Sequence, residues 1–427
     1  MTTTTRSRLL NIVGGSAGNF VEYFDWYVYT AFALYFAPSF FPKGDQTAQL
    51  LSTAAVFAVG FFMRPIGAAI MGRYADTHGR KAGLALSVGL MCVGALMIAA
   101  APTYAQAGLL SPAVLVLARM LQGLSLGGEY GASATYLSEM AGPRNRGFWS
   151  SFQYVTLIGG QLAALALLLV LQAWLGDDAL TAWGWRIAFA AGAALAIVVY
   201  FIRRRLAETP SYARARLEAV DRPKSGMVTL MRDHPREALL AFSLTAGGTL
   251  AFYADTTYMQ KFLVNTVGFD KATGSRIMTF ALIAMIVMQP IAGLISDRIG
   301  RKPMMTFFGV AGTLLTVPFF MALENATNPL TAFALVMANL VILTAYTSIN
   351  AVVKAELFPD HIRALGVALP YALSNTIFGG TAEYVALWLK GAGHEQWFYW
   401  YVAGIVALSL VSYASMRETR DAGLIAD

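Results

Sequence analysis

The chain has 427 residues, of which 57% are hydrophobic and only 13% charged, with one cysteine, four histidines and a formal net charge of +7. Soluble globular chains carry roughly 25% charged residues, and the long apolar runs here are too many to hide in one water-soluble core, which excludes a large soluble protein of buried helices. The lone Cys92 permits no internal disulfide and suggests no metal cluster.

The opening MTTTTRSRLLN lacks a small-residue cleavage site behind a brief apolar region, so the first apolar segment is expected to stay as a span. Taking about 20 apolar residues per bilayer crossing, the sequence predicts twelve membrane helices. They run over 12–37, 50–72, 82–101, 112–138, 152–173, 185–202, 238–258, 273–296, 304–323, 330–357, 364–389 and 396–416. Residues 203–237 are polar, basic and too long for a turn. They read as a cytoplasmic linker between an N-terminal six-helix bundle, 1–202, and a C-terminal one, 238–427. The expected fold class is an all-α membrane protein.

Placing the N-terminus inside puts about 22 of the 31 Lys and Arg residues on that side, in 1–11, 73–81, 139–151, 203–237, 297–303, 358–363 and the tail. The opposite loops hold about four, Lys43, Lys261, Lys271 and Lys390, along with Asp177 and Asp178. This positive-inside bias predicts that both termini are cytoplasmic. It accounts for the basic charge without a nucleic-acid partner.

A polar knot, GRYADTHGRK at 72–81, recurs as GLISDRIGRK at 293–302. Gly72, Asp76, Gly79, Arg80 and Lys81 align with Gly293, Asp297, Gly300, Arg301 and Lys302 at an offset of 221, and Glu139 and Arg146 align with Glu356 and Arg363 at 217. Two motif pairs at nearly one offset imply that the halves are structural repeats. Glycines allow tight helix ends, and an Asp near helix ends and arginines accepts charge-assisted hydrogen bonds. Asp76, Arg80, Asp297 and Arg301 are therefore read as a conformational latch, in preference to a simple positive-inside anchor.

The doubled G-x-x-x-D-x-x-G-R-K resembles the loop signature of the major facilitator superfamily. GNFVEYFDWYVY at 18–29, FFMRPIG at 61–67, RMLQGLSLGGEYG at 119–131 and WGWRIAF at 183–189 are similar to its metabolite:proton symporter branch. The resemblance runs nearly end to end. It implies two six-helix bundles around a central substrate site and alternating access, with the latch closing the cytoplasmic side in the outward-open state. It further implies a small dicarboxylate as substrate, 2-oxoglutarate above all, with citrate, shikimate or a betaine or proline osmolyte as alternatives.

Charges at bilayer depth cost about 2.5–3.5 kcal/mol or more on insertion scales, so each is a functional candidate. On the first span Asn19, Glu22, Asp25 and Tyr29 share one arc of the helix. Glu22 or Asp25 would carry the proton or pair with a buried arginine. Arg64, beside Pro65, suits bidentate capture of a carboxylate, with Asp25 or Glu22 as its structural partner otherwise. On the fourth span Gln122 and Glu129 share a stripe that Arg119 borders. Arg119 would bind substrate, and Glu129 would carry the proton or neutralise Arg119. Tyr253, Thr256, Thr257 and Gln260 have helical spacing, with Lys261 at the outer end of that span; Thr347, Asn350 and Lys354 have similar spacing. Lys354 is expected to reach the inner surface or pair with Glu356. Glu383 is a further embedded carboxylate, and Arg186 an anchor at the membrane edge. The histidines fall in loops.

The expected substrate site is thus Arg64, Arg119, Tyr29, Gln122, Tyr253, Thr257, Lys261 and Asn350, with Asp25, Glu22 and Glu129 for proton coupling. No nucleophile–base or metal constellation supports an enzyme. The linker is too short for the signalling domain of a sensor, and no G-x-x-x-x-G-K-[ST] supports ATP-driven transport. The expected partners are a small anionic metabolite, protons and the lipid bilayer. No cofactor is expected, the proton gradient being the energy source, and a monomer in a bacterial inner membrane is expected.

Overall fold

The computed structural model describes residues 20–425 except 43, 79, 128–129, 131–133, 136, 139–140, 206–225, 360–361 and 421–423, and describes only the backbone of 72–73, 75–78, 80–84, 143 and 202–205. Among the described residues there is no strand. The long helical elements are α1 (20–31, then Ala33–Phe40), α2 (Gln46–His78), α3 (Arg80–Ala100), α4 (Leu110–Leu126), α5 (Arg146–Ala179) and α6 (Trp185–Arg205). The second set comprises α7 (Pro235–Phe252, continuing to Asn265), α8 (Lys271–Ile299), α9 (Arg301–Glu324), α10 (Pro329–Thr347, then Asn350–Leu357), α11 (Arg363–Ser374, continuing to Gly391) and α12 (Gln396–Ser415). Over its described residues, each expected span has its helix. Asp270 caps α8 by accepting from the Thr273 N–H at 2.9 Å, and the Thr273 hydrogen bonds hold its exposed carboxyl below the ordinary range.

Small residues set the closest helix approaches. A Cβ on Gly123 of α4, or on Gly127 just after it, would collide with the Gly60 and Arg64 carbonyls of α2, so the two backbones touch there. Between the two sets, α5 runs along α8, and α11 along α2. Gly147 faces Gly293 at one end of the first seam, where a Cβ on Gly147 would lie 2.7 Å from the Gly293 carbonyl. Three turns are widened to π geometry: Leu180–Gly184, Tyr253–Tyr258 in α7 and Asn375–Gly379 in α11. Such turns re-aim side chains and often mark functional positions.

The outward faces carry exposed Val170, Phe280, Val287, Leu314, Leu408 and Val411. An apolar exterior of this extent is unstable in water and matches hydrocarbon. Trp174, Trp183, Trp388, Trp397 and Trp400 are all exposed and cluster near the helix ends opposite the 72–81 and 293–302 knots, as an interfacial aromatic belt does.

Candidate substrate site

A cluster of buried charge lies where α1, α2 and α4 meet. Arg119 is fully buried, and its Nη1 donates to Gln122 Oε1 at 2.9 Å; Gln122 Nε2 in turn donates to Asp25 Oδ2 at 2.6 Å. The three-residue spacing on α4 puts Arg119 and Gln122 side by side, and Gln122 relays the arginine to the carboxylate of α1. Trp26 carries both guanidinium groups, with Arg64 Cζ 4.2 Å and Arg119 Cζ 3.9 Å from its ring centre. Phe61 lies 4.0 Å from Arg64 Cζ, and Tyr29 4.4 Å from Arg119 Cζ. Desolvated cation–π contacts of this kind are worth about 2 kcal/mol each, which offsets only part of the several kcal/mol per ion needed to bury two like charges.

Neither guanidinium is saturated. Nε and Nη2 of Arg64, and Nε and Nη2 of Arg119, are buried without a hydrogen-bond partner. Each pair forms the side-on fork of a guanidinium, the edge that accepts a carboxylate in bidentate fashion. Arg64 has no ion pair with Glu22 or Asp25, contrary to the structural alternative weighed for it; its side chain packs on rings instead. Asp25 Oδ1 also lacks a partner, and it faces Gly192 of α6, where a Cβ would come within 2.7 Å. Glu22 is buried on the same helix, while Asn19 and Glu129 lie outside the described residues.

The other expected residues divide. The Tyr29 hydroxyl donates to the Thr53 carbonyl at 2.8 Å, leaving its ring face for Arg119. Tyr253 packs edge-on against Phe61 at 5.2 Å and joins the two bundles beside the arginines. Thr257 Oγ1 is buried and unpartnered. Gln260 Nε2 donates to Ser275 Oγ at 3.0 Å and to the Ala31 carbonyl of α1 at 3.5 Å, beyond a π turn at Tyr253–Tyr258 that breaks the regular spacing of this face. Lys261 requires correction. It is no loop residue, since α7 continues to Asn265, and it is buried with Nζ 2.8 Å from Glu383 Oε2. Asn350 accepts from the Tyr130 hydroxyl at 3.0 Å and donates to the Thr347 carbonyl. Lys354 neither reaches the surface nor pairs with Glu356. Its Nζ donates to Tyr130 Oη at 3.1 Å and lies over Tyr371 at 4.3 Å, while Glu356 accepts from Thr419 at 2.6 Å and lies 3.6 Å from Arg301 Nη2. Arg186 is half-buried and donates to the Ala99 carbonyl, as an anchor would.

A family model for the Major Facilitator Superfamily matches residues 15–382 and 256–423. The chain belongs to this superfamily. It is 52% identical to the alpha-ketoglutarate permease of Escherichia coli K12 over 97% of this chain and 95% of the relative. It is 31% identical to the citrate-proton symporter of Klebsiella pneumoniae over 89% and 85%, and 32% identical to a glycine betaine/proline/ectoine/pipecolic acid transporter of Dickeya dadantii over 96% and 83%. The crystal structure of a D-xylose-proton symporter superposes with a TM-score of 0.75 at 18% identity, covering 96% of this chain and 98% of that one. The superfamily fold makes this chain a multi-pass, all-α membrane transporter, not an enzyme.

In this superfamily member the second knot joins the bundles. Asp297 Oδ1 and Oδ2 accept from the Gly147 and Phe148 N–H groups at 2.8 and 2.9 Å, capping the start of α5 across the seam. Arg301 Nη1 holds the same carboxylate at 2.8 Å. The side chains of Asp76 and Arg80, in the first knot, lie outside the described residues. Sequence reasoning missed Phe57, Phe61 and Tyr130 as neighbours of the charges. Tyr130 follows the embedded Glu129 in GGEYG, and Phe61 stands three residues before Arg64 on one helix, so both positions offered a signal.

Proposed function

We propose that this protein is a proton-coupled symporter that imports a small dicarboxylate, with 2-oxoglutarate as the preferred substrate. The single observation that carries the reading is the pair of buried, open guanidinium edges of Arg64 and Arg119, which call for an anionic ligand. The 52% identity to an alpha-ketoglutarate permease supports the choice of dicarboxylate. Betaine is less suited: the Trp26 ring that would hold a quaternary ammonium already carries two guanidinium groups.

A dianion entering a cell with a negative interior is opposed by about 2.3 kcal/mol per charge per 100 mV. Two cotransported protons make entry electrically neutral, and more make it favourable. In this reading Asp25, linked to Arg119 through Gln122, exchanges a proton in step with the arginine's occupancy, with Glu22 and Glu129 as the further candidates. The proton gradient is the energy source, and no cofactor is required. The protein works as a monomer in the bacterial inner membrane. The basic-loop end faces the cytoplasm, so both termini do too, and the Asp297 and Arg301 latch, with Asp76 and Arg80, closes that end. Uptake of labelled 2-oxoglutarate into proteoliposomes under an imposed proton gradient tests the reading. Gradient-driven accumulation is expected, with unlabelled citrate, shikimate and betaine competing poorly. Uptake indifferent to the gradient contradicts proton coupling, and stronger competition by another metabolite reassigns the substrate.

A further inference from the structure

A dianion has two carboxylates, and the arginines account for one. This inference rests on the dicarboxylate reading above. The second bundle holds two deeply buried lysines. Lys261 is neutralised by Glu383 at 2.8 Å. Lys354 is 1% exposed and has no carboxylate partner among the described residues. Its Nζ donates to the Tyr130 hydroxyl at 3.1 Å, and the faces of Tyr371 and Tyr130 lie at 4.3 and 4.9 Å. An ammonium group has three donors, and here one hydroxyl oxygen and two rings stand in for an anion. Such a cation is poorly compensated at this depth.

The position of the cluster links it to transport. Tyr130 follows Arg119 and Gln122 in the fourth span, and its hydroxyl donates to Asn350, one turn before Lys354 on α10. The Tyr130 and Tyr371 rings stack at 3.5 Å with planes 5° apart, one from each bundle. The lysine thus sits at a contact between the halves, toward the basic-loop end from the arginines. We infer that Lys354 is the anchor in the second bundle for the distal carboxylate of the substrate, which displaces the Tyr130 hydroxyl as partner of the ammonium group. An anion held by arginines of one bundle and a lysine of the other ties substrate occupancy to the relative position of the halves.

The test is binding by the purified full chain of 2-oxoglutarate and of 2-oxopentanoate, a monoanion lacking the distal carboxylate. Lys354→Gln is expected to weaken 2-oxoglutarate binding at least ten-fold, about the effect of one charge-assisted contact, and to leave 2-oxopentanoate unchanged. Lys354→Arg is expected to retain most of the dianion preference. Tyr130→Phe, which removes only the competing hydroxyl, is expected to bind the dianion as well as wild type or better. Equal loss for both ligands in Lys354→Gln makes the lysine a structural residue and overturns the inference, as does no loss for either. Wild-type protein that binds neither compound overturns the dicarboxylate reading, and this subsite with it.

Discussion

The Arg64 and Arg119 pair of the first bundle and the Lys261 and Glu383 pair of the second treat buried charge in opposite ways. In the first, Arg64 and Arg119 share Trp26, Arg119 is joined to Asp25 through Gln122, and four guanidinium nitrogens lack partners among the described residues. In the second, Lys261 and Glu383 close on each other at 2.8 Å, both nearly inaccessible. The same cost of desolvation is met by a fixed internal partner in one case and left open in the other. A closed pair stabilises a fold whether or not a ligand is present, whereas an open pair is a site for one. Buried charge alone therefore does not identify a binding residue; the state of its hydrogen-bonding edges does.

Substitutions should separate the two kinds of site. Lys261→Ala leaves Glu383 buried and unpaired, and should destabilise the protein by about 3–5 kcal/mol, seen as a large fall in melting temperature in detergent. Lys261→Met with Glu383→Leu should restore most of it. A double variant with normal stability but no 2-oxoglutarate binding would move Lys261 into the site and erase the contrast. Arg119→Ala should do the reverse, cutting kcat/KM for uptake by about a hundred-fold, equivalent to about 3 kcal/mol. Arg119→Lys should not rescue it, because an ammonium lacks the planar fork. Asp297→Ala removes the acceptor of two helix N–H groups and should cost about 1–2 kcal/mol of the closed state. Faster cysteine labelling of residues placed along the α5–α8 seam would register it. Gly192→Ala places a methyl against Asp25 Oδ1 and should slow gradient-driven uptake by a few-fold, about 1 kcal/mol, with little change in counterflow exchange.

Most of the architecture was legible because hydrophobic length is a strong signal: over its described residues each expected span coincides with a helix, and the repeated knot marks corresponding places in the two halves. Side-chain partnership was less legible. Periodicity places Arg119 and Gln122 together because they share one helix, yet it says nothing of Trp26 bridging Arg64 and Arg119 from a third. The expected span ends at 258 and leaves Lys261 in a loop, whereas Tyr253–Tyr258 form a π turn and Met259–Asn265 continue α7 as regular helix. Lys354 was paired with Glu356 by nearness in sequence. Two residues apart on a helix point to different sides, so Glu356 meets Arg301 and Thr419 while Lys354 meets the tyrosines.

The most direct test is an experimental structure of the protein with 2-oxoglutarate bound. We expect a substrate carboxylate about 2.7–2.9 Å from Nε and Nη2 of Arg64 or Arg119, with Asp25 still joined to Gln122. A ligand bound away from both guanidinium groups, or arginines found in closed ion pairs with Glu22 and Asp25, would contradict the account.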